Sequence, residues 1–472
     1  MPMNGAVRER DRMLEVLLLP ISLGAGVGVA VGLDAVLRFR VPLDILGYDL
    51  TRLIPFLWSL VLVVFLMALF ALYAARERIF ERRYQIAILL IIGGCQFGGV
   101  NYGPLDPLDF VFVLTFSFAV VALLLEHRQL SMPAPLLLMI GAISFFTIAS
   151  IVNGRVTSIV GAHTILNKVL FVVLITVFVN TRRQHLFALK TFLLFAFLTA
   201  LIGIASEILY LVAGYDLSMD DLVNYHFKYT PLGRMLRVTA FLPTSQTLGH
   251  ALVLASCLGL FLPMSPGRRA VLLGSLWTCI VLTFTTGAYV TAALVTILSL
   301  FVRRPERTIH YVSALMLAAV LAYISGMLGL FYEKVVLPLG SRGIEDRAEY
   351  IRVGLDAVGR HPLLGQGIKN IGRMFSTPIH HTYLQIAADI GVMGGLVFAG
   401  MVLYLTVRCG ILAAGEADPS PKNTLKGLFL GMVGLGIHLN MEPFYDNSVT
   451  WIYMGLVGSA IAVYSRKNDI QI

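Results

Sequence analysis

Apolar stretches of roughly 20 residues recur from one end of this chain to the other, each long enough to cross a bilayer as an α-helix. That repetition constrains the fold more than any other feature. A membrane β-barrel would instead show short segments of alternating polarity. Across 472 residues only 13% are charged, against about 25% in an ordinary soluble domain, so a sizeable soluble domain is excluded. The sequence predicts an all-α, polytopic transmembrane helical bundle of 12–14 spans.

The candidate spans are 14–37, 53–75, 84–100, 109–125, 135–152, 164–180, 186–213, 242–262, 270–286, 287–302, 309–331, 383–407, 424–439 and 449–464. The first is too long for the core of a cleavable signal and is read as a transmembrane helix. The run 270–302 carries no charge and is too long for one helix, so a turn at Thr285-Thr286-Gly287 is expected, with a re-entrant hairpin as the alternative. With this count, one side of the bilayer receives Arg8, Arg10 and Arg12, then the groups at 76–83, 128, 182–183, 268–269, 303–307, 408–426 and 466–467. These hold 20 of the 36 Lys and Arg and mark that side as cytoplasmic, with both termini on it. The net charge of +9 is thus a membrane signature, and no nucleic-acid partner is implied. Cys95, Cys257, Cys279 and Cys409 show no metal or disulfide spacing and read as packing residues.

The organisation that follows is 1–331 as eleven transmembrane helices with an outer loop at 214–240, 332–381 as a large polar loop, and 382–472 as three further transmembrane helices. The polar loop holds seven basic and five acidic residues on the side expected to be outer. Within it, Ile344, Ala348, Ile351, Leu355 and Val358 recur at helical spacing, as in an amphipathic helix lying on the membrane face. A turn follows at His361-Pro362-Leu363-Leu364-Gly365-Gln366-Gly367. The loop ends in His380 and His381, at the mouth of the next helix. A helix N-terminus disfavours added positive charge, which keeps an imidazole neutral and able to take a proton from a hydroxyl. The plainer alternatives are a surface-anchoring helix and two interfacial histidines. Glu207, Lys168 and Lys190 interrupt apolar runs, at about 2.5–3.5 kcal/mol each if they sit at mid-bilayer. Lys190 can snorkel, and Glu207 is a candidate second base or a paired structural residue. Glu442 and Asp446, in a short outer link, read as sugar-binding or merely solvated.

His380-x-Thr382-Tyr383-Leu384, followed by a Gly-rich helix, resembles the "HNxYL…GxxG" signature of the O-antigen ligase and O-antigen polymerase superfamily. Pro362 to Gly367 resembles its "PLxGxG" element, Arg347 stands where the family has a loop-helix Arg, and Arg237 to Phe241 resembles "RxxGxF". Three departures stand out: His381 replaces the usual Asn, Pro243-Thr244-Ser245-Gln246 replaces an Asn-Pro, and Thr285-Thr286-Gly287-Ala288 lacks the Arg of an "SRGA" turn.

The resemblance implies a GT-C-like bundle in the bacterial inner membrane with its active loop on the periplasmic face. It implies inverting glycosyl transfer from a glycan on undecaprenyl diphosphate, without cofactor or metal. The acceptor is a growing lipid-linked glycan for a polymerase, which adds a chain-length regulator as candidate partner, or lipid A core for a ligase; protein-directed ligases use similar motifs. Negative charge growing on the leaving diphosphate calls for fixed cations, and Arg suits phosphate oxygens. The candidate catalytic residues are therefore His380, Arg347 and His381. The candidate donor- and glycan-binding residues are Arg237, Arg342, Arg352, Lys369, Arg373, Tyr383 and Glu207. A lipid-linked glycan flippase and a non-catalytic assembly component are the readings from other classes. Paired halves with interrupted helices would favour a transporter, and no internal symmetry is evident here.

Overall fold

The computed structural model describes residues 83–96, 107–124, 130, 132–153, 156–213, 227–230, 233–240, 242–326, 337–370 and 379–465. The expected spans 14–37 and 53–75, most of the outer loop 214–240, and Arg373 lie outside them. The described residues form an all-α bundle: α1 (Arg83–Gln96), α2 (Pro107–Leu124), α3 (Ala134–Ala149), α4 (Val156–Phe178), α5 (Arg182–Ala213), α6 (Ser245–Phe261), α7 (Pro266–Leu282), α8 (Thr286–Arg303), α9 (Thr308–Ile324), α10 (Leu337–Arg360), α11 (Thr382–Ile390), α12 (Val392–Gly415), α13 (Pro419–Leu439) and α14 (Ser448–Ser465). One small hairpin, β1 (Phe227–Thr230) antiparallel to β2 (Gly233–Leu236), lies in the loop before α6.

Among the described residues, six segments are long and apolar enough to cross a membrane: 134–152, 161–178, 182–212, 286–303, 392–415 and 448–465. Leu138, Phe145, Val152, Leu396 and Leu403 are exposed on them, which suits a lipid-facing surface and would be a liability in water. The centre of the bundle is α14, buried along almost its whole length. It packs on α4, where Gly455 sits so close that an added Cβ would meet the Val172 backbone at 3.2 Å. Close approach through small residues is the usual way helices gain packing inside lipid. Around it, α13 packs on α6 and α12.

The run 270–302 is two helices. The chain breaks at Thr283–Thr285, just ahead of the expected turn, with Phe284 at φ 48°. The expected span 383–407 is also two helices, because Gly391 at φ 90° ends α11 and starts α12. A Cβ there would lie 2.1 Å from the Leu363 carbonyl oxygen, and only Gly takes this backbone cheaply. Val392 N–H donates to Pro362 O at 2.8 Å, and Gly367 N–H donates to Asp389 O at 3.0 Å. The Pro362–Gly367 element is therefore a backbone clamp on the end of α11.

Two ends of the bundle can be told apart. At one, Arg182 pairs with Glu416 at 3.7 Å and lies over the Tyr464 ring, while Arg303 donates to the Leu260 carbonyl. This end gathers the basic helix termini. The other gathers the start of α6, the α7–α8 break, α10, α11 and the turn between α13 and α14.

Candidate functional site

The site forms at that second end, from several chain segments. His380 immediately precedes the cap of α11, and its Nδ1 lies 2.9 Å from Oε2 of Glu442 in the turn after α13. The Glu442 side chain is buried, whereas that of His380 is 29% exposed. Thr382 fastens the two segments together: its hydroxyl donates to the Glu442 carbonyl and accepts from Phe444 N–H at 2.9 Å. Phe444 in turn stacks on His250 of α6 at 4.6 Å between ring centroids. The turn carrying Glu442 is thus held from both sides.

Arg237 directly follows β2. Its Nε donates to the Thr283 carbonyl at 3.5 Å, in the α7–α8 break, and Val238 N–H donates to Leu282 O at 3.2 Å. Burial pulls the Arg237 guanidinium below its ordinary value, and the charges of Glu442 and Tyr289 partly offset this. The turn that lacks the family's Arg therefore holds Arg237 instead. Glu207 is buried on α5, one turn after Gly203, whose Cα approaches Val238.

The amphipathic helix is α10, and it packs on the bundle through small residues while Ile351 and Leu355, on the face expected to lie against the membrane, stay exposed. Gly354, Ala357 and Val358 pack on Ile379, Leu384 and Ala388, whereas Ile351 and Leu355 are 43% and 59% exposed. Small residues win the contact because Leu384 presses directly against the Gly354 backbone. Tyr350, on the inner side, faces His380 at 5.3 Å between rings. Arg342 and Arg347 both fall within α10, and Arg347 stands three residues, about one turn, ahead of Tyr350.

The other predicted residues separate. Arg352 is exposed and pairs with Glu349 at 2.9 Å. Lys369, also exposed, is near enough to Asp389 and Asp446 to act on their charge. Tyr383 contacts Phe398, and burial pushes its hydroxyl up to about 12. His381 is the N-cap of α11: its Nδ1 accepts from Leu384 N–H at 3.2 Å. Burial lowers the His381 imidazole, which keeps that acceptor free of a proton. Asn is among the strongest N-caps, so His at this position does by its ring nitrogen what the family's usual Asn would do by its carbonyl.

Glu442 is the residue that sequence reasoning underrated. Its signal was an acidic residue in a short link between two apolar runs, and nothing local tied it to a histidine 62 positions away.

Helices of this length and apolarity, with lipid-suited outer faces, define a multi-pass membrane protein of all-α class. Residues 270–399 match the O-antigen ligase family model, Wzy_C, which supports the O-antigen ligase/polymerase superfamily and glycan transfer of that general type. The match runs from α7 into α12 and includes Arg347 and His380; Arg237 and Glu442 lie outside it. No curated protein matches the chain.

Proposed function

We propose that the protein is an inverting, metal-independent glycosyltransferase of the bacterial inner membrane. It takes a glycan from undecaprenyl diphosphate and passes it to a glycan hydroxyl, polymerising surface polysaccharide. The observation that carries this reading is the His380–Glu442 pair. An ionised carboxylate only accepts hydrogen bonds, so His380 Nδ1 carries the proton and Nε2 is left as the base. The acceptor hydroxyl gives its proton to Nε2 while its oxygen attacks the anomeric carbon from the face opposite the diphosphate. The sugar–phosphate bond breaks, its electron pair leaves on the diphosphate, and the imidazolium formed sits beside Glu442. A positioned base of this kind contributes about 10²–10⁴-fold in rate.

Arg237, close enough to Glu442 to feel its charge, and Arg347, one turn from Tyr350, are assigned to the leaving diphosphate. The basic helix termini at the far end of the bundle support placing the site on the outer face. The matched family is described as O-antigen ligase, which favours transfer to lipid A core as the second reading. Purified protein with lipid-linked glycan donor in detergent tests the proposal. Longer lipid-linked glycan supports polymerase, product on added lipid A core supports ligase, and no new glycosidic bond with either acceptor rejects both.

A further inference from the structure

Beneath the site lies a second polar group that the mechanism above does not use. One oxygen of Asp389, Oδ2, accepts from Gln385 Nε2 at 2.9 Å and from the Tyr445 hydroxyl. Each donor leads back to one half of the base. Gln385 Oε1 accepts from the backbone N–H of Ile379 at 2.7 Å, and Ile379 is the residue before His380. Tyr445 stands three residues after Glu442, and its carbonyl accepts from Trp451 Nε1. A single carboxyl oxygen therefore joins the segment that carries His380 to the turn that carries Glu442.

Packing alone does not call for a carboxyl here. Asp389 is fully buried, and its other oxygen has no partner among the described residues. A cavity of about 10 Å³ beside it is lined by Ile143, Ile165, Ile386 and Phe398, with Thr147 the one hydroxyl of the α3 wall. An apolar residue of similar size would cost less in such a place. What it could not do is hold Gln385 and Tyr445 to a common point.

We propose that Asp389 is a positioning residue for the transfer reaction, setting the His380–Glu442 geometry through Gln385 on one side and Tyr445 on the other. The inference rests on His380 being the base. Burial raises the Asp389 carboxyl to about 7, and either protonation state keeps Oδ2 as an acceptor. An Asn carbonyl in the same place accepts the same two bonds, which makes Asp389→Asn the conservative variant.

The test compares purified variants in steady-state transfer from a lipid-diphosphate glycan, with a thermal melt of each. Asp389→Ala and Asp389→Leu lower kcat about 10²-fold, as a misplaced base would, while the donor KM stays within about twofold. Gln385→Met, which cuts one link only, lowers kcat by a smaller factor; Asp389→Asn restores it to within about threefold of the native rate. Wild-type turnover in a folded Asp389→Leu or Gln385→Met protein, or no rescue by Asn, overturns the positioning role. His380→Ala is run alongside. If it keeps native turnover, the base assignment falls; if it is inactive while Asp389→Leu is not, only the positioning role falls.

Discussion

His380 and Glu442 meet at 2.9 Å although they stand 62 positions apart, and three whole helices, α11, α12 and α13, lie between. The pairing makes the two residues act as one unit. We expect His380→Ala to lose about 10²–10⁴-fold in turnover with the protein still folded and inserted. Glu442→Gln keeps an acceptor for Nδ1–H and loses less, whereas Glu442→Ala approaches the His380→Ala rate. A double variant no slower than either single one, in the same transfer assay, is the signature of a shared role.

Arg237 and Arg347 are expected to act on the donor. Arg237→Ala and Arg347→Ala weaken donor use, and Lys at either position restores it only in part, because an ammonium cannot grip phosphate oxygens as a guanidinium does. A titration of transfer rate against donor concentration reads this directly.

His381 is assigned to the fold. His381→Ala removes the cap of α11 and costs about 0.5–2 kcal/mol, seen as a lowered melting temperature. His381→Asn keeps both the melt and the activity. Loss of activity in a fully stable His381→Asn protein would return this residue to the chemistry.

The buried Asp389 gives stability a direction with pH. Its carboxyl is raised to about 7 in the folded protein from an ordinary value of 3.8, so the folded state binds the proton more tightly. Stability is then highest below the unfolded value, falls as pH rises between the two, and levels off above about 7. The melting temperature of Asp389→Asn is expected to lose that slope, and an unchanged slope would assign it to another group.

Gly391→Ala puts a methyl against the Leu363 carbonyl and a strained φ on an L-residue, at about 1–3 kcal/mol for the backbone alone. Because the same contact clamps α11, activity should fall together with the melt.

Much of this was legible in the order of residues. The apolar runs located the described spans, and the 33-residue uncharged stretch had to be two helices. What escaped reading shares a cause. Gly391 breaks a helix inside a stretch long and apolar enough on average to read as one span, so mean hydropathy does not place the break; its φ does. The packed side of α10 is chosen by Gly354 and Ala357, whose small size matters only once Leu384 is across from them. Glu442 and Asp389 take their meaning from partners on other segments, and periodicity reports only on a residue's own helix.

The helical hairpin between His380 and Glu442 also fixes when the protein can first work. A growing chain that has threaded only the crossing after His380 holds an imidazole without its carboxylate. The second crossing must insert and fold back before the pair closes. Competence therefore waits for α13 and the turn that follows it, and a chain cut short after α12 would leave His380 without its carboxylate partner.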